Sequence, residues 1–296
     1  MGVALAQRFD GEVVSVDSMQ IYRGMAVGTA APTPEETEGV PHHMIGVADP
    51  AENWSVARFT QAADACVQDI LRRGKRPVLV GGTGLYLDAL LRGTDFAAGS
   101  QDTPLRRHLQ ERLRREGAET LLEELRRVDP DSAARLHLRD EKRILRALEV
   151  YQATGETITL HDRRTQAQPP RYEGVFVGLS FKDRQDLRDR IDCRVDDMVA
   201  RGLLDEVRSL LQSGLPRTAT AWQAIGYKQF LEVADGRMTE AEAVAEVKLR
   251  SRQYAKRQLT WLRRNEAIHW ILWDKVPDFP SGLQNATTFL TSSGVC

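Results

Sequence analysis

The stretch "EVVSVDSMQ" (residues 12–20) decides the fold. The Asp10-Gly11 pair ends the helix ahead, and Glu12–Val16, with Val13, Val14 and Val16, then reads as a buried strand. In front stands "GVALAQRF" (residues 2–9), an amphipathic helix with Val3, Leu5 and Phe9 among small residues. Behind the strand comes Asp17. In an α/β sheet a carboxylate at that place faces the ligand crevice, as a base or a metal ligand. The same position also suits a helix N-cap or a turn residue, and position alone leaves both readings open.

Working outward, a turn-rich loop with Pro32, Pro34 and Pro41 runs to about Pro50. Residues 55–73 place Val56, Phe59, Ala63, Val67 and Ile70 at helical spacing, and Gly74 ends that helix. "RPVLVGGTG" (76–84) reads as a second short buried strand entering a glycine turn, followed by the helix "LYLDALLRG". Strands alternating with helices predict a parallel sheet with functional residues at the strand C-termini. From 94 to 171 the pattern is helical only: "LRRHLQERLRREG", "AETLLEELRRV" and "DEKRILRALEVYQATG". Asp102 and Pro104 mark the first start, Pro130 separates the last two, and Pro169-Pro170 close the block. Strand returns at "GVFVGLSF" (174–181), helices continue to about Asn265, and "AIHWILW" is the last strand. The organisation predicted is an α/β core at 1–95 and 172–274, a helical insertion domain at 96–171, and a flexible tail rich in Pro, Ser, Gly and Thr at 275–296.

Composition narrows the function classes. The 296 residues are 42% apolar and 28% charged, ordinary for a globular protein. No stretch approaches the roughly 18–20 apolar residues that span a bilayer, and no signal-peptide pattern opens the chain. Cys66, Cys193 and Cys296 lack metal or disulfide spacing and read as reduced thiols. A cytoplasmic, membrane-free protein is expected. The net charge of −1 is silent about nucleic acid, so the placement of the 41 basic residues matters.

Three features bear on chemistry. "GGTG" (81–84) sits between strand and helix, where its N–H groups suit an anion, but it lacks the Lys-Ser/Thr of a phosphate-binding loop and by itself reads as a plain tight turn sooner than as an anion site. "KLRSRQYAKRQLTWLRR" (248–264) holds seven basic residues and no acidic one. On a helix Lys248, Arg252, Lys256 and Arg263 form a stripe with Tyr254 and Trp261 interleaved, which suits a phosphate backbone better than an ordinary solvated face. Arg139, Arg143 and Arg146 form a second stripe, in the helical insertion, so two basic helices suggest a bipartite grip on RNA. His42-His43 has no acidic or Cys partner at ligand spacing and reads as loop.

Together the motifs resemble the tRNA dimethylallyltransferases. The matching blocks are "VDSMQIYRGMAVGTAAPTPEE", "GVPHHMIGVADP", "PVLVGGTGLYLDALL", "RILRALEVYQATG", "RIDCRVDDMVARGLLDEV", "AIGYKQF" and "AKRQLTWLRR", in family order over nearly the whole chain. The resemblance implies a core like that of the P-loop NTPases, and transfer of a dimethylallyl group from its diphosphate to N6 of adenosine 37 beside the tRNA anticodon. It implies Asp17 as general base and Arg194 as the arginine assisting the diphosphate, although Arg194 is also spaced for an ion pair with Asp197. Mg²⁺ would accompany the diphosphate. Ser18, Met19, Gln20 and Thr83 match residues lining the pocket for the flipped adenine. Arg106 with Lys142, Arg143, Ile144, Leu145 and Arg146 matches the grip on the anticodon arm. Gln223, Ala224, Ile225, Gly226, Tyr227 and Lys228 match a further RNA-contacting segment. Lys256, Arg257, Gln258, Leu259, Thr260, Trp261, Leu262 and Arg263 match another. The expected partners are a tRNA anticodon stem-loop and dimethylallyl diphosphate, with the protein a monomer.

One departure stands out. Family members begin with a strand and Gly-x-Thr-x-x-Gly-Lys-Thr/Ser, and Met1 falls about two residues beyond that motif. Each charge-assisted hydrogen bond of such a loop is worth roughly 1.5–3 kcal/mol. Losing about four, counted as additive, costs on the order of 6–12 kcal/mol, and half of that already weakens binding thousands-fold. The expectations are poor donor binding by the chain as written and a start codon placed downstream of the true one. The alternative is a non-catalytic tRNA-binding remnant. A relative acting on free nucleotides fits the basic helices less well, because a free nucleotide has no long phosphate backbone.

Overall fold

The computed structural model describes residues 1–94 and 103–295, so Asp102, Cys296 and the expected boundary at 95/96 lie outside the described residues. The chain divides into two compact units, Met1–Asp88 with Gly174–Cys296, and Ala89–Glu173. The insertion is therefore a few residues longer at each end than the 96–171 expected.

The first unit opens with α1 (Gly2–Arg8), β1 (Gly11–Val16), β2 (His42–His43), α2 (Val56–Arg72) and β3 (Arg76–Gly81). Helix α3 (Gly84–Arg92) runs across the division between the units. All six residues of β1 are buried, because it is the centre strand of a parallel sheet ordered β2-β1-β3. Gly11 pairs with Arg76 and the register runs to Val16 against Gly81. Ala6 of α1 packs with Val13 and Val40, backed by Val3 and Val78. Ser55 caps α2 by accepting from Arg58 N at 3.2 Å, which starts the helix where the periodicity predicts it.

Strand β3, expected to be buried, is an edge strand, and Val80 is 40% exposed. The other strands, β4 (Phe176–Phe181) and β5 (Ile268–Trp273), form a second parallel sheet of their own. Thus β3 and β4 each keep one edge unpaired among the described residues, and Leu179 of β4 is 43% exposed. Helix α1 serves both sheets: its Leu5 joins Ile271, Trp273 and Ala286, flanked by Met1, Phe9, Val177 and Phe181.

Between β4 and β5 lie α8 (Arg184–Ala200), α9 (Leu203–Gln212), α10 (Tyr227–Ala234) and α11 (Glu240–Leu262); the labels α4–α7 belong to the insertion. Residues 275–296, expected to be a flexible tail, instead contain α12 (Phe279–Ser292). Asp278 caps it, Pro280 occupies its first turn, and Leu283, Ala286 and Leu290 recur at helical spacing to cover the second sheet. Gly282 is needed there: a Cβ would lie 2.0 Å from the Trp273 ring.

The second unit is all helical: α4 (Pro104–Val128), α5 (Pro130–Ala133), α6 (Glu141–Thr154) and α7 (Ile158–Ala167). Gly117, with φ +83°, breaks α4 into the two runs that the sequence shows. Leu109, Leu121, Leu125, Ile144 and Leu148 build a core of its own. Buried Asp129 ties α5 to α7, accepting from Ser132 N at 3.1 Å and from Thr159 N at 3.0 Å.

Candidate active site

Strand β1 delivers Asp17 to its C-terminal end, where a tight turn begins. Asp17 Oδ1 accepts from Met19 N at 2.8 Å and from Gln20 N at 3.2 Å. That oxygen is the turn cap that position alone allows. Oδ2 accepts no hydrogen bond among the described residues, so one carboxylate oxygen shapes the turn and the other is left for chemistry. Ser18 N donates to Thr83 Oγ1 at 3.2 Å, and Thr83 N donates to Val16 O at 3.3 Å. The turn after β3 is thereby stitched to the turn after β1.

Aromatic groups and one arginine surround this carboxylate. The Tyr254 phenol of α11 hydrogen-bonds Thr83 and Gln258, and burial raises its pKa with help from Asp17. Tyr86 of α3 is pushed up to about 12, first by burial and then by the neighbouring Tyr22, Asp17 and Tyr254. Its ring packs at a 35° tilt against Phe59 with ring centroids 4.4 Å apart. Arg194 of α8 donates from Nη2 to Thr29 O at 3.4 Å. The residue is partly solvent-exposed, but protein around its guanidinium lowers its pKa by desolvation, while Asp17 pulls it up and Arg190 pulls it down. It stays cationic. Among the described residues it makes no ion pair with Asp197.

The glycines of "GGTG" answer to packing. A Cβ on Gly82 would lie 2.0 Å from Gln258 Nε2, and one on Gly84 would lie 2.2 Å from Trp261 Cδ1. Gln258 Nε2 donates to Gly82 O at 3.0 Å. Helix α11 thus lies directly on the turn: Tyr254 and Gln258 are half-buried against it, while Trp261 packs on Gly84 and keeps 36% of its surface exposed.

Gln20, grouped with the base-pocket residues, has its side chain engaged. Ser15 Oγ donates to its Oε1 at 2.8 Å, and its Nε2 donates to the Thr29 and Ala30 carbonyls at 3.3 Å. The loop carrying those carbonyls is held from the other side by Glu206 of α9. Its Oε2 accepts from Ala26 N at 2.8 Å and Val27 N at 2.9 Å, and its Oε1 from Gly28 N at 3.1 Å. Tyr227 of α10, in the segment expected to contact RNA, is fully buried. Its hydroxyl donates to Glu206 Oε1 and accepts from Gly28 N at 3.2 Å. Burial and Glu206 raise its pKa. Of its neighbours, Ala224 and Gly226 are buried, Ile225 is half-buried, and Gln223 and Lys228 are exposed.

Half of the basic stripe on α11 is neutralised within the protein. Lys248 pairs with Asp196 at 2.6 Å and Arg252 with Asp192 at 2.6 Å, both carboxylates coming from α8. Lys256, Arg257, Thr260 and Arg263 are exposed, whereas Leu259 and Leu262 are half-buried. In the insertion Lys142 and Arg143 are exposed, while Ile144 and Leu145 belong to its core, so their side chains are turned away from any RNA. Arg106 and Arg146 both reach the buried Glu149 carboxylate, at 3.1 and 3.3 Å.

A protein-family model described as IPP transferase matches residues 20–265 of the chain. The chain belongs to this family. The tRNA dimethylallyltransferase of Geobacillus thermodenitrificans is 46% identical over 270 residues, covering 91% of this chain and 85% of that protein. That of Thermoanaerobacter sp. is 38% identical, covering 98% and 92%. Among solved structures, the tRNA isopentenylpyrophosphate transferase of Bacillus halodurans superposes with a TM-score of 0.72 at 40% identity, over 98% of this chain and 90% of that one. A eukaryotic dimethylallyltransferase acting on tRNA superposes with a TM-score of 0.81 at 29% identity, over 99% and 75%. The IPP transferase family is a prenyltransferase family, which fits a carboxylate and an arginine facing one another at the end of a parallel strand.

Sequence reasoning passed over three residues of this IPP transferase site, and the inward role of a fourth. Arg190 lies one helical turn before Arg194, an i,i+4 spacing visible in "RIDCR". Tyr86 comes two residues after the glycine turn, but its proximity to Asp17 requires the β1–β3 pairing. Glu206 and the inward role of Tyr227 have no local signal, because the loop amides they bind lie 178 to 199 residues away in the chain. For a metal, no group of three His, Cys, Asp or Glu side chains gathers among the described residues. A Mg²⁺ arriving with a diphosphate would meet the Asp17 carboxylate at the end of β1 rather than an all-protein cage.

Proposed function

We propose that the chain transfers a dimethylallyl group from dimethylallyl diphosphate to N6 of adenosine 37, next to the anticodon of tRNA, giving N6-dimethylallyladenosine. The observation that supports this most is the division of labour within Asp17, whose Oδ1 caps the turn while Oδ2 accepts no hydrogen bond among the described residues. The adenine amine is a poor nucleophile because its lone pair is delocalised into the ring. In the proposed step Oδ2 takes a proton from N6 as the N6–C1 bond forms and the C1–O bond to diphosphate breaks. The Arg194 guanidinium meets the charge of the departing diphosphate. Mg²⁺ bound to that diphosphate would supply further charge neutralisation.

The adenine must leave the anticodon stack to reach Asp17. Ser18, Met19 and Thr83 border its place, with Tyr86 and Tyr254 as aromatic neighbours. Lys256, Arg257 and Arg263 on α11, and Arg106, Lys142, Arg143 and Arg146 in the insertion, are the proposed contacts to the anticodon stem-loop. The protein works as a monomer. No helix among the described residues is long and apolar enough to cross a membrane.

The test is transfer from dimethylallyl diphosphate to unmodified tRNA with Mg²⁺, read by mass. Asp17→Asn is expected to lower kcat by about 10²–10⁴-fold, the range of a general base, with tRNA affinity unchanged. Transfer within tenfold of wild type would remove Asp17 from that role. A wild-type chain that binds both tRNA and Mg²⁺-pyrophosphate and forms no product would overturn the transferase reading.

A further inference from the structure

The loop at residues 25–31 is anchored on one side and offers its acceptors on the other. Three successive N–H groups, from Ala26, Val27 and Gly28, converge on the Glu206 carboxylate at 2.8–3.1 Å. Such a run of amides is a concave anion site, here occupied by a side chain of the same protein. Tyr227 closes it from beneath, and a Cβ at Gly28 would lie 2.5 Å from the Tyr227 ring, so only glycine allows this approach. With its donors turned to Glu206, the loop presents the next two carbonyls to the site. Thr29 O receives both Gln20 Nε2 and Arg194 Nη2.

We propose that Glu206 and Tyr227 are positioning residues: they hold this loop so that the Thr29 carbonyl fixes the Arg194 guanidinium opposite Asp17. The inference rests on the proposed reading of Arg194 as the diphosphate's arginine. A carboxylate is required because it accepts from three amides and a phenol at once. A glutamine amide has a single oxygen, and its NH₂ meets N–H donors head-on. Neither residue touches substrate; both act through a backbone carbonyl some distance from the reacting atoms.

The experiment is a double-mutant cycle in the full chain, with Glu206→Gln and Tyr227→Phe made alone and in an Arg194→Ala background. It reads kcat, the KM for tRNA, and the affinity for Mg²⁺-pyrophosphate by calorimetry. Glu206→Gln is expected to lower both kcat and pyrophosphate affinity about tenfold with the tRNA KM unchanged, and Tyr227→Phe about threefold. In the Arg194→Ala background each should cost less than about twofold more, because residues acting through one group are not additive. Equal losses in both backgrounds, or a shift confined to the tRNA KM, would overturn the proposal. Should Glu206→Gln fail to fold, the Tyr227→Phe cycle decides alone, since it removes one oxygen and keeps the ring. The two readings fail separately. Absence of prenylated tRNA from the wild-type chain defeats the transferase reading, while the pyrophosphate cycle still reports on the loop. A pyrophosphate affinity that Arg194→Ala leaves unchanged defeats the loop's role.

Discussion

Glu12 sits on the all-buried strand β1 with 3% of its surface exposed, at the end opposite Asp17. Arg73 reaches both its oxygens, with Nη2 to Oε2 at 2.7 Å, and His43 Nε2 lies 2.8 Å from Oε2. These bonds, Arg73 first, hold its pKa down at about 2 against the cost of burial. A depressed carboxylate stabilises the fold above its unfolded pKa and loses that contribution as pH falls through the folded value. Glu12→Gln is therefore expected to cost about 2–3 kcal/mol at neutral pH. In urea melts the gap from wild type should narrow from about pH 4.5 down toward pH 2. Gly84 carries a different kind of prediction. Gly84→Ala places a methyl 2.2 Å from the Trp261 indole and should destabilise by about 1–3 kcal/mol, measured by thermal melt. The same change in Trp261→Ala protein should cost little, because the obstacle is gone.

Helix α11 is read correctly by its basic composition and incompletely by its periodicity. The stripe at 248–264 is real, but Asp192 and Asp196 arrive from α8, more than 50 residues away, and silence its first half. No single-helix pattern reveals a partner on another helix. The half-burial of Tyr254 and the seating of Trp261 on Gly84 are hidden for the same reason, and so is the burial of Tyr227. By contrast β1, the helix spacing of α2 and the break at Gly117 are local signals, legible from neighbouring residues alone. Helix α12 is obscured by a count of Pro, Ser, Gly and Thr that outweighs its Leu283-Ala286-Leu290 spacing. The predicted consequence concerns salt. Replacing Lys256 or Arg263 by Gln should weaken tRNA binding uniformly and lower the slope of log K against log salt by about one each. Arg252→Gln should leave that slope nearly unchanged and instead lower the melting temperature, because its charge already belongs to Asp192.

At the scale of the whole molecule the two units have separate cores, one centred on Leu109, Leu121 and Leu148 and the other on the two sheets. Calorimetry of the intact chain should resolve two transitions, and Leu148→Ala should lower one of them while sparing the other. A single transition lowered as a whole would show the units melting together. The division also has a consequence for synthesis. The insertion is one uninterrupted run of chain, so it can finish folding while the ribosome is still making β4, β5 and the helices between them. The core cannot, because α1, made before the insertion, packs through Leu5 on Trp273 and Ala286, which are made long after it. Until β5 arrives, the nascent chain carries a finished helical module between two halves of an open sheet system. Helix α1 waits through all of that synthesis for its partners, and that interval is when holdase chaperones have the most apolar surface to find.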